Sequence, residues 1–411
     1  MTAHPCIDVR WRASLRRAAS SCAMLTFLLF VPIASAQTNS SAIAAPSSER
    51  SSAAAVASRL VRITVTFQTQ NPFQPWLFQA PDNRSGYGIL IAPGEVLTTE
   101  HLVRNHTHVE LLRARTGEKI AAKVTIADPR LNLALLTLPA HRVGEGLPAL
   151  TTAGPLRLHE DITIAQFDDD EDLQTAQGTV SQIAVDALPD GPFSLLAYQV
   201  LMQLNATGEG APALVSNELA GIVTAYQSST RIATVIGAPF IARFLEDAHT
   251  PPYQGPASGG FMWKPLVDPA KRDWLKLGDE RNGIMVVSTQ PGSGAEATLR
   301  SMDVILSWDG HPFDALGYYE DPDFGRIEFT HLVKGKGAPG DSVPISIWRD
   351  GAQQTVNLTL GGDPDLNALV PENVAGARAP YLMTGGFVMR ELDVYTLRAY
   401  GQDWRAKVDP Q

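Results

Sequence analysis

Gly86-Tyr-Gly-Ile-Leu-Ile-Ala-Pro-Gly-Glu-Val-Leu-Thr-Thr-Glu-His101-Leu-Val is the stretch on which the fold turns. Gly88-Ile-Leu-Ile91 is a short apolar run. It stops at Ala92-Pro-Gly94, a turn signal, and resumes before His101, which predicts strand, turn and strand. The same short pattern recurs at Leu60–Phe67, His108–Leu112, Leu133–Leu138 and Leu219–Thr224. Gly, Pro, Asp and Asn punctuate these runs at intervals of roughly ten residues, the mark of an all-β barrel or sandwich. A helix over Pro239–Asp247, with Phe240, Ile241, Phe244 and Leu245 on one face, is expected to close this region at about residue 248.

Thr250-Pro-Pro-Tyr-Gln-Gly-Pro is a linker signal. Beyond it, residues 255–361 mix the two periods. Strands are expected at Phe261–Lys264, Gly283–Thr289 and Val304–Trp308, and helices at Pro269–Leu277, Ala295–Leu299 and Glu328–Lys334. A hairpin, Val343–Trp348 with Gln354–Leu360, turns on Arg349-Asp-Gly-Ala. Residues 362–411 hold one strand-like run, Gly386–Met389, and are too few for an independent core.

The first 36 residues differ from the rest. Arg10, Arg12, Arg16 and Arg17 precede an apolar run, Ala23–Ile33, and then Ala34-Ser35-Ala36, which reads as a secretory signal peptide. A Ser- and Ala-rich flexible linker is expected over 37–59. Both cysteines, Cys6 and Cys22, lie inside the leader, so the mature chain would have no disulfide, thiol nucleophile or thiolate metal site. Four arginines against one aspartate leave the remainder near −13, against −10 for the whole chain. Such an acid excess argues against nucleic acid as a partner. No later stretch is long and apolar enough for a membrane helix. A periplasmic or secreted protein with no stable membrane span after cleavage is expected.

Three stretches carry chemistry in a fixed order: the one ending at His101, then Ala127-Asp-Pro-Arg-Leu-Asn132-Leu-Ala-Leu-Leu, then Gln203-Leu-Asn-Ala-Thr-Gly-Glu209-Gly-Ala-Pro-Ala-Leu-Val. Together they resemble the segments around the histidine, aspartate and serine of the trypsin-like Deg/HtrA proteases. Asn71-Pro-Phe-Gln-Pro-Trp76 and the stretch Gly255–Leu277 are similar to the plant-type Deg branch, as are Pro291-Gly-Ser and Asp303-Val-Ile-Leu-Ser-Trp-Asp-Gly310. The resemblance spans nearly all of residues 60–404. It implies a mainly β chain: a chymotrypsin-like double β-barrel over 60–248, an α+β PDZ domain over 255–361, and a tail, 362–411, like the start of a second PDZ domain.

By this resemblance His101, Asn132 and Glu209 hold the triad positions, and Thr207 and Gly208 the oxyanion-hole position. Acyl transfer needs an attacking hydroxyl, an imidazole to take its proton and a carboxylate to orient that imidazole. Glu209 is no hydroxyl and Asn132 carries no charge. Thr207 stands where the family has glycine, and a β-branched residue resists positive φ. Neither Ser216 nor Thr207 falls in register with His101. Proteolysis is expected to be absent or very weak, the triad vestigial. Glu209 is then either a built-in anion, facing protonated His101 or the oxyanion-hole amides, or an acid turned to solvent. His101, His106 and His108 lack a third ligand of fixed geometry, and Asp168–Asp172 lacks the glycine and distal glutamate of a calcium loop, so neither a metal nor another cofactor is expected.

The PDZ resemblance assigns Ser258, Gly259, Gly260, Phe261 and Met262 to a loop and strand that take an extended peptide by its carboxylate. The expected partners are peptides or unfolded polypeptide C-termini, with a homo-oligomer (a trimer) or an active protease as further possible associates. The function expected is that of an adaptor, holdase or regulator in protein quality control. The alternative is a serine-type endopeptidase with an unorthodox or partner-completed site.

Overall fold

The computed structural model describes residues 56–71, 73–113, 117–139, 147, 150–168, 170–187, 194–204, 208–278, 282–362, 370 and 380–401. The expected leader, most of the linker, and Thr207 lie outside the described residues.

The chain folds as three successive β units. In the first, β1 (Leu60–Phe67), β2 (Asp82–Ala92), β3 (Glu95–Thr98), β4 (His106–Arg113), β5 (Glu118–Ala121), β6 (Lys123–Asp128) and β7 (Leu133–Thr137) form one antiparallel sheet in the order β5-β4-β1-β2-β3-β7-β6. Alternation decides the faces: Val61, Ile63 and Val65 of β1 point inward and are buried with Val96, Val109 and Leu136. A single helical turn, α1 (Glu100–Val103), follows β3, and Thr99 caps it by accepting the Leu102 N–H at 3.4 Å.

The second unit is a closed six-stranded barrel in the order β10-β13-β12-β11-β8-β9. Its strands are β8 (Asp161–Phe167), β9 (Leu173–Ala187), β10 (Ser194–Met202), β11 (Pro212–Val215), β12 (Glu218–Gln227) and β13 (Ile232–Gly237). Closure leaves no open edge. The helix α2 (Ala238–Ala248) then buries Phe240, Ile241 and Phe244 on one face.

The third unit is a sheet in the order β14 (Phe261–Pro265), β15 (Ile284–Thr289), β16 (Val304–Trp308), β20 (Ser342–Arg349), β21 (Ala352–Thr359), with β17 (His311–Pro312) on β16. Short helices α3 (Pro269–Trp274) and α4 (Gly294–Thr298) intervene. The β20–β21 turn is tight: Arg349 pairs with Ala352, and Asp350 and Gly351 both have positive φ, 52° and 83°. Strands β18 (Tyr318–Asp321) and β19 (Gly325–Glu328) make a separate hairpin.

The helix expected over Glu328–Lys334 forms about two residues further on, over 330–336, and its last five residues, Leu332–Lys336, are wound as a π-helix. Glu328 ends β19, and this wide turn closes with the Gly337 N–H donating to the Leu332 carbonyl at 3.0 Å. The apolar spacing of Phe329, Leu332 and Val333 is satisfied by that short helix. Gly335 and Gly337 then oppose a longer helix.

Two contacts tie this unit back to the barrel. The Arg243 guanidinium of α2 donates to the carbonyls of Lys334 (3.3 Å), Gly335 (2.6 Å) and Gly337 (2.5 Å). Lys334 Nζ donates to the Ser194 carbonyl at 2.9 Å. In the linker, the Tyr253 hydroxyl donates to Asp128 Oδ2 at 2.6 Å, and Arg130 grips the same carboxylate at 2.9 and 3.0 Å.

After residue 379 a hairpin, β22 (Tyr381–Thr384) and β23 (Phe387–Arg390), precedes α5 (Val394–Arg398). It leaves Leu382, Met383, Phe387 and Met389 exposed, consistent with a tail that has no core of its own.

Candidate functional site

The His101 site lies where the first two units meet. The Tyr87 N–H of β2 donates to the Glu209 carbonyl at 2.8 Å, and the Tyr87 hydroxyl donates to the Phe167 carbonyl at 2.7 Å. These bonds bring the 208–211 turn against β2 and α1. Gly208 and Gly210 flank Glu209 at φ 66° and 77°, and a Cβ on Gly210 would lie 2.0 Å from the Tyr87 carbonyl oxygen. Only glycine fits so close an approach at positive φ.

His101 sits in α1 and Asn132 closes the β6–β7 turn at φ 50°, a left-handed conformation that asparagine tolerates. Asp128 opens that same turn, since it pairs with Leu133. Its carboxylate is spent on the Arg130 N–H and guanidinium and on Tyr253. Burial and the Asp128 charge push the Tyr253 phenol well above its usual range, so it remains a donor.

His101, Asn132 and Glu209 do come together, but not as a proton relay. Asn132 Oδ1 accepts the His101 backbone N–H at 2.8 Å, while its buried Nδ2 has no partner. The imidazole turns the other way: its Nδ1 lies 2.8 Å from Glu209 Oε1. A carboxylate accepts only, so Nδ1 carries the proton. In a working triad Nδ1–H faces the orienting carboxylate and Nε2 faces the nucleophile. Here Nδ1 faces Glu209, the residue that the sequence resemblance sets at the nucleophile position. The hydrogen bond to Glu209 raises the His101 pKa above its usual value, with the Glu209 charge adding and burial, Arg104 and Arg84 opposing. The ring is about a third exposed, so water screens much of this pairing.

Residues that the sequence reading did not single out complete the site. Thr99 Oγ1 donates to the same Glu209 Oε1 at 2.9 Å, so Glu209 is held from two sides and does not point freely into solvent. Glu100 is wholly buried and bound by the Arg104 guanidinium, with Nη2 to Oε2 at 2.6 Å. Arg84 stacks on Phe67 at 4.1 Å, donates to the Arg104 carbonyl and is attracted to Glu209. Thr99 was legible as a helix cap before an apolar run. Arg84 has no such sequence signal.

His106 and His108 flank an irregularity in the β1–β4 pairing, and the His106 Nδ1–H donates to the Val103 carbonyl at 2.8 Å. Among the described residues no group of three metal-capable side chains occurs.

The 258–262 segment leads into β14, which pairs only with β15 and so forms an edge of its sheet. Ser258 is bridged to Gly361 by two backbone bonds of 2.9 Å. Gly260 has φ 70°, and a Cβ there would meet Ser293 Cβ at 2.5 Å. Its carbonyl accepts from Gln290 N (2.8 Å) and Ser293 Oγ (3.1 Å), and its N–H donates to Ser258 Oγ at 3.2 Å. Phe261 stacks against Phe329, whereas Met262 is exposed.

A family model described as "Trypsin-like peptidase domain" matches residues 86–222, the span from β2 to β12. The chain is 28% identical to "Protease Do-like 2, chloroplastic" of Arabidopsis thaliana over 81% of its own length and 55% of the relative's. It is 26% identical to "Probable periplasmic serine endoprotease DegP-like" of Rhizobium meliloti over 72% of its length and 56% of the relative's. It therefore spans little more than half of either relative. The solved structure "HtrA-type protease AlgW with decapeptide" superposes with a TM-score of 0.58 at 20% identity, covering 76% of this chain and 98% of that one. The sheet, the closed barrel and the helix-bearing unit thus follow an HtrA-like chymotrypsin fold, and the chain carries a trypsin-like peptidase domain homologous to the Deg/HtrA proteases, plant Deg proteases among them.

Proposed function

We propose that this protein is a pseudoprotease: a Deg/HtrA scaffold without peptide hydrolysis, which binds peptides or unfolded polypeptide C-termini through its third unit. The observation that carries the first half is the 2.8 Å contact between His101 Nδ1 and Glu209. It supports the reading that a carboxylate stands where a hydroxyl must attack, with the base turned toward it. Asn132 meanwhile spends its oxygen on a backbone amide. A carboxylate attacking a peptide would give a mixed anhydride with no gain over direct hydrolysis. It would also set negative charge beside the developing oxyanion.

The second half is supported by β14 as an edge strand after a glycine turn, the arrangement that accepts an added strand and a terminal carboxylate. The neighbour with a decapeptide lends the same reading. The function is then that of an adaptor, holdase or regulator in quality control, acting alone, as a homo-oligomer, or with an active protease. A periplasmic location is part of the proposal; no helix among the described residues is long and apolar enough to cross a membrane.

The deciding experiment pairs a fluorogenic-peptide and casein cleavage assay with an aggregation assay on an unfolded client. We expect no turnover and slower aggregation. Turnover that disappears in His101→Ala would overturn the reading in favour of an unorthodox endopeptidase.

A further inference from the structure

His331 stands just before the wide turn that Arg243 holds. It is buried at 7% exposure, and its Nδ1 has no hydrogen-bond partner. A buried imidazole nitrogen without a partner is costly, and a second proton on that ring would cost far more. The ring lies edge-on between Phe240 of α2 (centroids 6.1 Å apart) and Phe324 of the β18–β19 hairpin (5.3 Å). Gly335 closes over it: a Cβ there would lie 2.4 Å from Nδ1 and Cε1. One imidazole thus packs against the barrel's helix on one side and the third unit on the other.

We propose that His331 is a proton-operated release for the contact between the barrel and the third unit: uncharged, it seals the contact, and protonated, it opens it. The reasoning follows from what surrounds the ring. From α2 comes Arg243, a fixed cation bonded to the three carbonyls of the turn. From the turn itself come Lys334, bonded across to Ser194, and Lys336. From the hairpin comes Asp321, the anion that acts on the ring itself, but Lys336 and the Tyr319 hydroxyl already bind it at 2.7 Å each; Glu328 faces Lys334, and Asp341, Glu246 and Asp247 face Arg243. A proton on His331 would bury a further cation, out of reach of water, beside Arg243 and Lys336. Detachment of the turn from α2 gives the ring to water and removes Arg243 from its side.

The direction of the effect is fixed by linkage. Burial lowers the His331 pKa to about 4 in the closed state, with Lys336 and Arg243 also lowering and Asp321 raising. In the open state the ring returns toward about 6.5, the ordinary value. The open form therefore binds more protons between those two values. The opening equilibrium rises by up to about tenfold per pH unit as pH falls from roughly 6.5 to 4, and is flat above.

The test uses the full mature chain and hydrogen–deuterium exchange of peptides spanning 238–248 and 332–340, corrected for the intrinsic pH dependence of exchange, from pH 8 to 4.5. The wild type should be flat down to about pH 6.5 and then gain several-fold to tenfold in opening per pH unit. His331→Phe, which keeps a ring between Phe240 and Phe324, should lose that slope. His331→Gln serves the same purpose should the phenylalanine variant fold poorly. Equal slopes in wild type and both variants would overturn the proposal, as would a flat wild type.

Discussion

Glu209 and His101 share one proton-bearing contact of 2.8 Å, and it runs through Nδ1, the ring nitrogen that a working triad keeps for its orienting carboxylate. The carboxylate does for the imidazole what a triad aspartate does, fixing Nδ1–H, but from the place the attacking group would need. A serine at 209 would therefore need the ring moved before Nε2 could face it.

Glu209→Ser alone should leave the protein inactive on a fluorogenic peptide. With serine at 209 and asparagine at 132, the base still lacks its carboxylate, a loss of about ten-thousand-fold in turnover for serine-protease triads. Glu209→Ser with Asn132→Asp should cleave measurably. The double variant staying silent while correctly folded would mean that the backbone donors for the oxyanion are also lost.

His101 should titrate above an ordinary histidine, because its hydrogen bond to Glu209 favours the charged ring. The pair's contribution to stability is then fully present below about pH 6.5 and fades as pH rises through the His101 value. Glu209→Gln should move the His101 ring resonance, followed by NMR, to a lower midpoint. An unchanged midpoint would show that the two groups are not coupled.

Gly210→Ala should be among the most damaging single-methyl changes in the chain. The new carbon would lie 2.0 Å from the Tyr87 carbonyl at φ 77°. Strain of this kind costs about 2–4 kcal/mol. Urea unfolding measures it directly, and the neighbouring substitution Asn217→Ala gives a comparison for loss of positive φ without a clash of that severity.

Asp128→Asn removes one partner of a buried pair and should cost about 3–5 kcal/mol. It should also loosen the linker, since Tyr253 gives up its charged acceptor. Faster chymotryptic cleavage after Tyr253 would report that loosening; unaltered cleavage would show that the linker is held elsewhere.

Gly260→Val should weaken binding of a peptide with a free C-terminus at least tenfold, because the turn into β14 uses φ 70° and packs on Ser293. Fluorescence polarisation with a labelled peptide gives the number. Binding that survives the substitution would assign the peptide to another surface.

Much of the architecture was legible because it is written in short-range periods. The alternation in β1, the turn at Arg349-Asp-Gly-Ala and the apolar face of α2 each predict their element and the face it buries. The expected triad positions rest on order and local motif, and the three residues do lie in contact. What was not legible depends on contacts far apart in sequence. Nothing local says that Arg84 reaches the Arg104 carbonyl, or that Tyr253 reaches Asp128 across the linker. The helix expected at Glu328–Lys334 starts later and ends as a π-helix for a related reason. The segment's shape is set by Arg243 and by the His331 ring pressed on Gly335, partners that no window of neighbouring residues contains.

The Asp128 carboxylate has a consequence for what position 132 is free to be. The β6–β7 turn takes its anchorage from Asp128, Arg130 and Tyr253. Asn132 contributes its left-handed backbone and one hydrogen bond from Oδ1. Charge at 132 is therefore mechanically idle. The residue at one end of the turn can change while the joint at the other end keeps its full grip, so a substitution at 132 need not loosen the molecule.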